Sequence, residues 1–456
     1  MQPSSPNAVP TTLQHPAAAR FWLVVLGTGA IAGLGAAFLT RLLEAVQKLV
    51  WGGTGRDLLA AAESAPISTH FMALLSAAAI TALGQMILRR LSSGNGIDTT
   101  AAIWFYAGRL PALRTIGSAI LSVIIVGMGA SLGREGAPKQ VAAVGANFFA
   151  DWARLSDEQR RLVVACGAGA GMAGAYGVPL GGALFSLEVM RGVLALRFVL
   201  PALLASVVAT AVAWIVLPDA PTYAIPAYTS SASVILWALL AGPIAGVFSV
   251  GYVRLITWAE RHKPENWRRF VVPVAGFGLL GFVSIRFPQI LGNGRDLSEL
   301  AFTDQAPILL LLILLVLRPA ATILCVRCGA PGGLFTPSLT VGAVLGSVLG
   351  YAWSWLWPGV PMGLFALLGA GAVLAASTQG PLSTIVLMME LTGRDRSFIL
   401  PLLLVATSAT LVARSIEPRS IYDARLTDEE IATRQKLREA MTAPSAVAGK
   451  SNKNPS

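Results

Sequence analysis

Gly129-Ala-Ser-Leu-Gly-Arg-Glu-Gly-Ala-Pro-Lys-Gln140 lies between two apolar segments, yet it carries Arg134, Glu135 and Lys139 within six residues. A charge at membrane depth costs roughly 2.5 to 3.5 kcal/mol on insertion scales, so ionisable residues in such settings usually face a pathway. Glu135 is therefore the first candidate for function. Gly129, Gly133 and Gly136 allow close approach of backbone to backbone or ligand, and Pro138 suits the first turn of a helix. The stretch reads as a helix N-terminus with bare amides. Such an end carries about half an elementary positive charge and unpaired N–H donors, which suits an anion.

The surroundings make that setting a membrane. Of 456 residues, 55% are hydrophobic and 12% charged, against about 25% charged in a typical soluble domain. Mean hydropathy is +0.67. Apolar windows of helical length recur at 20–51, 71–91, 114–130, 161–191, 198–217, 232–259, 270–286, 307–326, 335–357, 362–392 and 398–414. Several are long enough to span about 30 Å of hydrocarbon, while others are too short or broken. The pattern predicts an all-α polytopic membrane protein.

The net charge of +11 comes from residues scattered in loops and tails rather than gathered on one face, which argues against a nucleic-acid surface. Arg89 and Arg90, Arg160 and Arg161, Arg261 with Lys263, Arg268 and Arg269, and the tail from Arg434 to Lys453 read as topology signals. The positive-inside rule puts them in the cytoplasm, with both termini inside. Cys166, Cys325 and Cys328 lie in or beside apolar segments, and Cys325-Val-Arg-Cys328 has no second pair, so packing is expected rather than metal or redox chemistry.

The chain repeats itself. Gly29-Ala-Ile-Ala-Gly33 with Arg41 and Leu42 matches Gly242-Pro-Ile-Ala-Gly246 with Arg254 and Leu255, at an offset of 213. Gly129, Gly133 and Val144 match Gly329, Gly333 and Val344 at 200; Gly167-Ala-Gly-Ala170, Pro179 and Glu188 match Gly369-Ala-Gly-Ala372, Pro381 and Glu390 at 202. Ordered blocks at a nearly constant offset mark duplicated halves, a signature of transporter and channel folds whose broken helices meet at a midplane site. The expected organisation is a disordered cytoplasmic tail (1–19), a first membrane repeat (20–228), a second (229–422), and a short cytoplasmic C-terminal tail (423–456) with no regulatory domain. Ser93-Gly-Asn-Gly-Ile-Asp98 and Gly332-Gly-Leu-Phe-Thr-Pro337 are two further Gly-rich turns, each expected to open a helix.

At these turns the sequence resembles the CLC family of chloride channels and proton-coupled anion antiporters, over about residues 20 to 425. The family's Gly-Ser-Gly-Ile-Pro is similar to Gly94-Asn-Gly-Ile-Asp98, its Gly-Arg-Glu-Gly-Pro to Gly133-Arg-Glu-Gly-Ala137, and its Gly-Ile-Phe-Ala-Pro to Gly333-Leu-Phe-Thr-Pro337. Its anion-facing tyrosine resembles Tyr422. The resemblance implies two inverted repeats of broken, tilted helices, a homodimer with one anion pathway per subunit, and Glu135 as the gate. It also implies anion contacts at Gly94, Asn95, Gly96, Ile97, Gly133, Arg134, Gly136, Gly333, Leu334, Phe335 and Tyr422. The activity implied is chloride or halide transport in a bacterial inner membrane, as a voltage-gated-type channel or an anion/proton antiporter. No cofactor is implied beyond the transported halide and protons.

Three departures matter. Asn95 replaces the serine, exchanging a hydroxyl for a longer amide; a fluoride-handling branch departs at this position, which makes a fluoride/proton antiporter for fluoride export the alternative. Asp98 replaces the proline, as a helix cap that brings negative charge towards an anion route. Leu187-Glu-Val-Met190 places Val189 where proton-coupled members carry an inner glutamate. Blander readings stand beside these: Asn95 as a turn residue, Tyr422 as an interfacial anchor, Glu188 and Glu390 as helix-end groups. An intramembrane enzyme is the reading from another class. His15, His70 and His262 lie far from Glu135 and in no metal-ligand spacing, so no enzymatic activity is expected.

Overall fold

The computed structural model describes residues 8–15, 17–53, 55, 57–90, 98–394 and 398–442. The first half runs α1 (Ala18–Trp51), α2 (Leu58–Ser64), α3 (Ile67–Arg90), α4 (Thr99–Phe105), α5 (Ala112–Gly127), α6 (Gly136–Trp152), α7 (Asp157–Tyr176), α8 (Pro179–Phe185) and α9 (Leu196–Ala213). The second runs α10 (Ala232–Arg261), α11 (Arg268–Arg286), α12 (Arg295–Phe302), α13 (Ile308–Arg327), α14 (Phe335–Ser354), α15 (Met362–Thr378), α16 (Pro381–Thr392) and α17 (Ile399–Ile416). A C-terminal helix, α18 (Asp428–Thr442), follows. Eight of the described segments are long and apolar enough to cross a membrane.

The two halves are arranged as inverted repeats. Apart from α2, each helix of the first has its counterpart, from α1 and α10 to α9 and α17, and the contacts match: α1 packs on α9 as α10 packs on α17, and α6 on α7 as α14 on α15. A further matched block joins those read above, Gly94-Asn-Gly96 with Gly292-Asn-Gly294, at an offset of 198. The equivalent residues Gly133 and Gly333 bond each other reciprocally, N–H to carbonyl, at 2.7 and 2.8 Å. A two-fold relation between the halves produces such a pair.

Small residues decide the packing. Between helices in lipid there is little hydrophobic drive, so close van der Waals approach carries association. A Cβ on Gly33 would lie 2.4 Å from the Ala209 carbonyl oxygen, and one on Gly246 would lie 2.6 Å from that of Ala409. The repeated small-xxx-small faces are therefore where α1 and α10 seat on α9 and α17. The Gly- and Ala-rich α7 and α15 are buried along nearly their whole length.

Two apolar windows are broken in the same place. Window 161–191 ends α7 at Gly177 and restarts as α8; window 362–392 ends α15 at Gln379 and restarts as α16. Gly177 and Gln379 are matched at the repeat offset of 202, and both hold left-handed backbone, with φ of 69° and 56°. The N-terminal tail needs a correction. Within it, Val9 is buried, the Ala8 carbonyl accepts from Gln159 at 2.8 Å, and α1 begins at Ala18. Cys166, Cys325 and Cys328 are buried and free.

Gly33→Ala and Gly246→Ala are each expected to destabilise the detergent-solubilised protein by roughly 1–3 kcal/mol, because the clash is with backbone. Gly251, with nothing within 4 Å of its Cβ position, is the control: Gly251→Ala is expected to be neutral or to gain up to about 1 kcal/mol of helix propensity. Thermal unfolding followed by size-exclusion chromatography reads the difference, and equal losses at all three positions would contradict this packing.

Candidate functional site

The Gly133–Gly333 pair brings the starts of α6 and α14 together. Glu135 stands at the N-cap of α6, but its side chain makes no capping bond there. It crosses instead to the other repeat. The Phe335 backbone N–H donates to Glu135 Oε1 at 2.7 Å, and the Thr336 hydroxyl donates to Oε2 at 2.9 Å. The Tyr176 hydroxyl lies 3.4 Å from Oε2 and 2.9 Å from Thr336 Oγ1. Glu135 is wholly buried. A carboxylate at a helix N-terminus accepting a backbone N–H is the favourable sign of charge at that end. A Cβ on Gly133 or Gly333 would stand 2.2 or 2.0 Å from a Glu135 oxygen, so both positions require glycine.

The neighbours of Glu135 line two separate cavities. On one side Arg134, whose guanidinium lies 4.7 Å over the Tyr176 ring, lines a cavity of about 210 Å³ with Tyr176, Asn293, Arg295 and Asp296. On the other, Gly136, Gly333, Leu334, Lys139 and Tyr422 line a smaller one of about 60 Å³. That inner cavity shares Asp98, Gln140 and Arg425 with a third, of about 210 Å³, whose wall adds Arg89, Arg114, Lys263 and Arg269. This mouth is basic and belongs to the face carrying the C-terminal segment. Burial lowers the Lys263 ammonium below its ordinary value, and the neighbouring Glu260 carboxylate holds the Arg425 guanidinium above its own.

The residues read from sequence fare unevenly. Gly133, Arg134, Glu135, Gly136, Gly333, Leu334, Phe335 and Tyr422 gather here. Gly94, Asn95, Gly96 and Ile97 lie outside the described residues. Helices do begin at Thr99, Gly136 and Phe335. Asp98 caps α4, accepting from Thr100 N–H at 2.8 Å, and pairs with Arg425 at 3.2 Å, so its negative charge is offset. Tyr422 lines the smaller cavity: its ring meets Phe185 edge-on, and its buried hydroxyl has no hydrogen bond among the described residues.

Glu188 and Glu390 are reciprocal helix caps. Glu188 accepts from Leu382 and Ser383 N–H at the start of α16; Glu390 accepts from Leu180 and Gly181 N–H at the start of α8. Val189 is buried, with its carbonyl facing Arg434. Tyr176 and Thr336 are functional candidates that sequence reading missed. Thr336 carried a signal, because it stands where the resembling signature has alanine.

This arrangement defines a class: a polytopic helical membrane protein in which helix N-termini from two inverted repeats meet at one buried carboxylate. The family model described as voltage gated chloride channel matches residues 77–414, and the chain belongs to that family, the CLC proteins. It is 33% identical over 312 residues to the H(+)/Cl(-) exchange transporter ClcA of Vibrio parahaemolyticus serotype O3:K6 (strain RIMD 2210633), covering 65% of this chain and 66% of that protein. To ClcA of Yersinia pestis bv. Antiqua (strain Angola) it is 31% identical over 321 residues, covering 66% and 65%. The chain thus spans just under two thirds of the length of these relatives. Among solved structures, a slow cyanobacterial Cl-/H+ antiporter superposes with a TM-score of 0.77 at 22% identity, covering 91% of this chain and 99% of that one. A CLC-type fluoride/proton antiporter superposes at 0.73 and 22% identity, covering 89% and 98%. At such identities the likeness is one of fold.

Glu390→Ala and Glu188→Ala each remove a charged acceptor from two backbone donors and are expected to cost roughly 1–3 kcal/mol of stability. Lowered melting temperatures for both would match the cap assignment; an unchanged melting temperature for either would contradict it.

Proposed function

We propose that this protein carries halide anions across a membrane through a pathway gated by Glu135, with proton movement coupled to the gate. One observation carries the reading: the Glu135 carboxylate occupies a backbone donor at a helix N-terminus, where an anion would otherwise bind, between two separate cavities. An ionised carboxylate and a halide compete for the same N–H group and the same end of the helix dipole. Protonation removes the charge that holds the side chain there, so the protonated side chain leaves the Phe335 amide and a halide takes its place. Phe335 supplies the amide, Gly133 and Gly333 the room, and Tyr176 and Thr336 the hydroxyls that hold the closed carboxylate.

Chloride is the substrate by the names of the curated relatives. Fluoride is the second reading, favoured by Asn95 and by the likeness to a fluoride/proton antiporter fold. With Val189 in place of an inner glutamate, the proton reaches the basic face by a route that uses no carboxylate at that position. We place the basic mouth and both termini on the cytoplasmic side of a bacterial inner membrane, from the Lys and Arg distribution, and take the assembly to be a homodimer with one pathway per subunit. The protein acts as a transporter and not as an enzyme.

Proteoliposomes given a chloride gradient and, separately, a fluoride gradient test the reading through proton uptake. Uphill proton movement with either ion is expected and names the substrate. Glu135→Ala is expected to abolish proton movement and to leave halide flux insensitive to external pH; coupling that survives this change would contradict the gate. Thr336→Val, which removes a hydroxyl from the carboxylate, is expected to speed halide efflux roughly threefold to tenfold, the effect of about 1 kcal/mol. An ion-selective electrode reads the rate, and a slower or unchanged efflux would mean that Thr336 does not hold the gate.

A further inference from the structure

A gate that couples a proton to a halide has to pass that proton to the basic face, and the walls on that side repel it. Lys139 and Arg425 line the inner cavity; Arg425 again, with Arg89, Arg114, Lys263 and Arg269, lines the mouth. A free hydronium ion among these cations is disfavoured by every one of them. The proton needs a carboxylate to rest on. Val189 offers none, and its carbonyl faces the Arg434 guanidinium.

Among the described residues, the carboxylates on these walls are Asp98 and Glu260, and of the two only Asp98 lines both the inner cavity and the mouth. Asp98 therefore stands at the junction. Glu260 has a cation on each oxygen, Arg425 on Oε1 and Lys263 on Oε2, and its side chain is 6% exposed. Asp98 is held more loosely: Oδ1 accepts the Thr100 N–H, Oδ2 meets Arg425 at 3.2 Å, and the side chain is 24% exposed. Protonating Asp98 strands no cation, because Arg425 keeps Glu260 at 3.1 Å. Two other acids near this face are committed to structure. Glu188 caps α16, and Asp423 pairs with Arg434 while accepting from the Ser420 N–H and hydroxyl.

The inner cavity links this carboxylate to the gate. Lys139 and Tyr422, both on its wall, each lie within electrostatic reach of Asp98 and of Glu135. Its volume of about 60 Å³ has room for water, since about 10–15 Å³ holds one molecule.

We infer that Asp98 is the inner proton carrier of the gate, exchanging a proton with water in the basic mouth on one side and, through water in the inner cavity, with Glu135 on the other. The inference rests on the proton-coupled reading above. Each hop moves one proton from an O–H to an oxygen lone pair, and Asp98 alternates between carboxylate and carboxylic acid. The acid form is neutral, so the proton passes the surrounding cations without carrying a charge past them.

Proteoliposomes under a gradient of the transported halide test this, with halide efflux and proton uptake read by electrodes in the same sample. Asn caps a helix about as well as Asp but carries no proton. Asp98→Asn is expected to slow proton uptake about tenfold or more and to leave halide efflux within about threefold of wild type. Asp98→Glu restores a carboxylate and is expected to take up protons faster than Asp98→Asn. An unchanged ratio of protons to halide in Asp98→Asn, or equal proton uptake by the Asn and Glu variants, would overturn the assignment and leave coupled transport standing. Halide efflux without proton uptake in wild type would overturn the coupled reading and the carrier with it. If Asp98→Asn does not elute as a single species, Asp98→Ser, which also caps, replaces it under the same criteria.

Discussion

The structure depends on one hydrogen bond between its two halves: the Phe335 amide, at the start of a helix in the second repeat, donates to a carboxylate rooted in the first. Everything near it serves that contact. Gly133 and Gly333 pair because only residues without Cβ leave room for the carboxylate. α6 and α14 begin there because a helix start supplies both the bare amide and the partial positive charge. A helix running unbroken through the membrane has no donor to offer at this depth, so the cost of interrupting secondary structure in lipid is accepted where the free backbone finds a partner.

The same exchange between repeats recurs in two other forms. Glu188 and Glu390 each close the helix start of the opposite half, and the small residues of α1 and α10 seat on matched carbonyls of α9 and α17. Carboxylates therefore do two different jobs in one fold. Glu188 and Glu390 hold two backbone donors apiece at half-buried helix ends. Glu135 holds a single backbone donor, with hydroxyls for its other oxygen, in a wholly buried position between cavities. Fewer and exchangeable partners suit a side chain that, in the proposed gating, has to leave.

Much of this was legible in the sequence. The membrane class followed from composition, the duplication from ordered blocks of Gly and Ala, and Glu135 from a charge set among glycines between apolar runs. The matched position of Glu188 and Glu390 also favoured helix-end roles. Other features were hidden, for physical reasons. Tyr176 ends a Gly- and Ala-rich helix distant in sequence from Glu135 and Thr336, and only folding brings the three together. Asp98 read as negative charge near an anion route, because its neutraliser, Arg425, lies 327 residues away. Lys139 was visible as a charge, but its seat against the rings of Tyr422 and Phe185, with no ion pair among the described residues, is a property of the surrounding packing.

The central claim is that the Glu135 carboxylate stands on a halide site. It is met most directly by crystals of the Glu135→Ala variant grown in bromide, with anomalous scattering locating the ion. The account predicts a bromide peak within hydrogen-bonding reach of the Phe335 amide in the variant and none there in wild type. A Phe335 amide without an anion in the variant, with bromide bound elsewhere along the pathway, would contradict it.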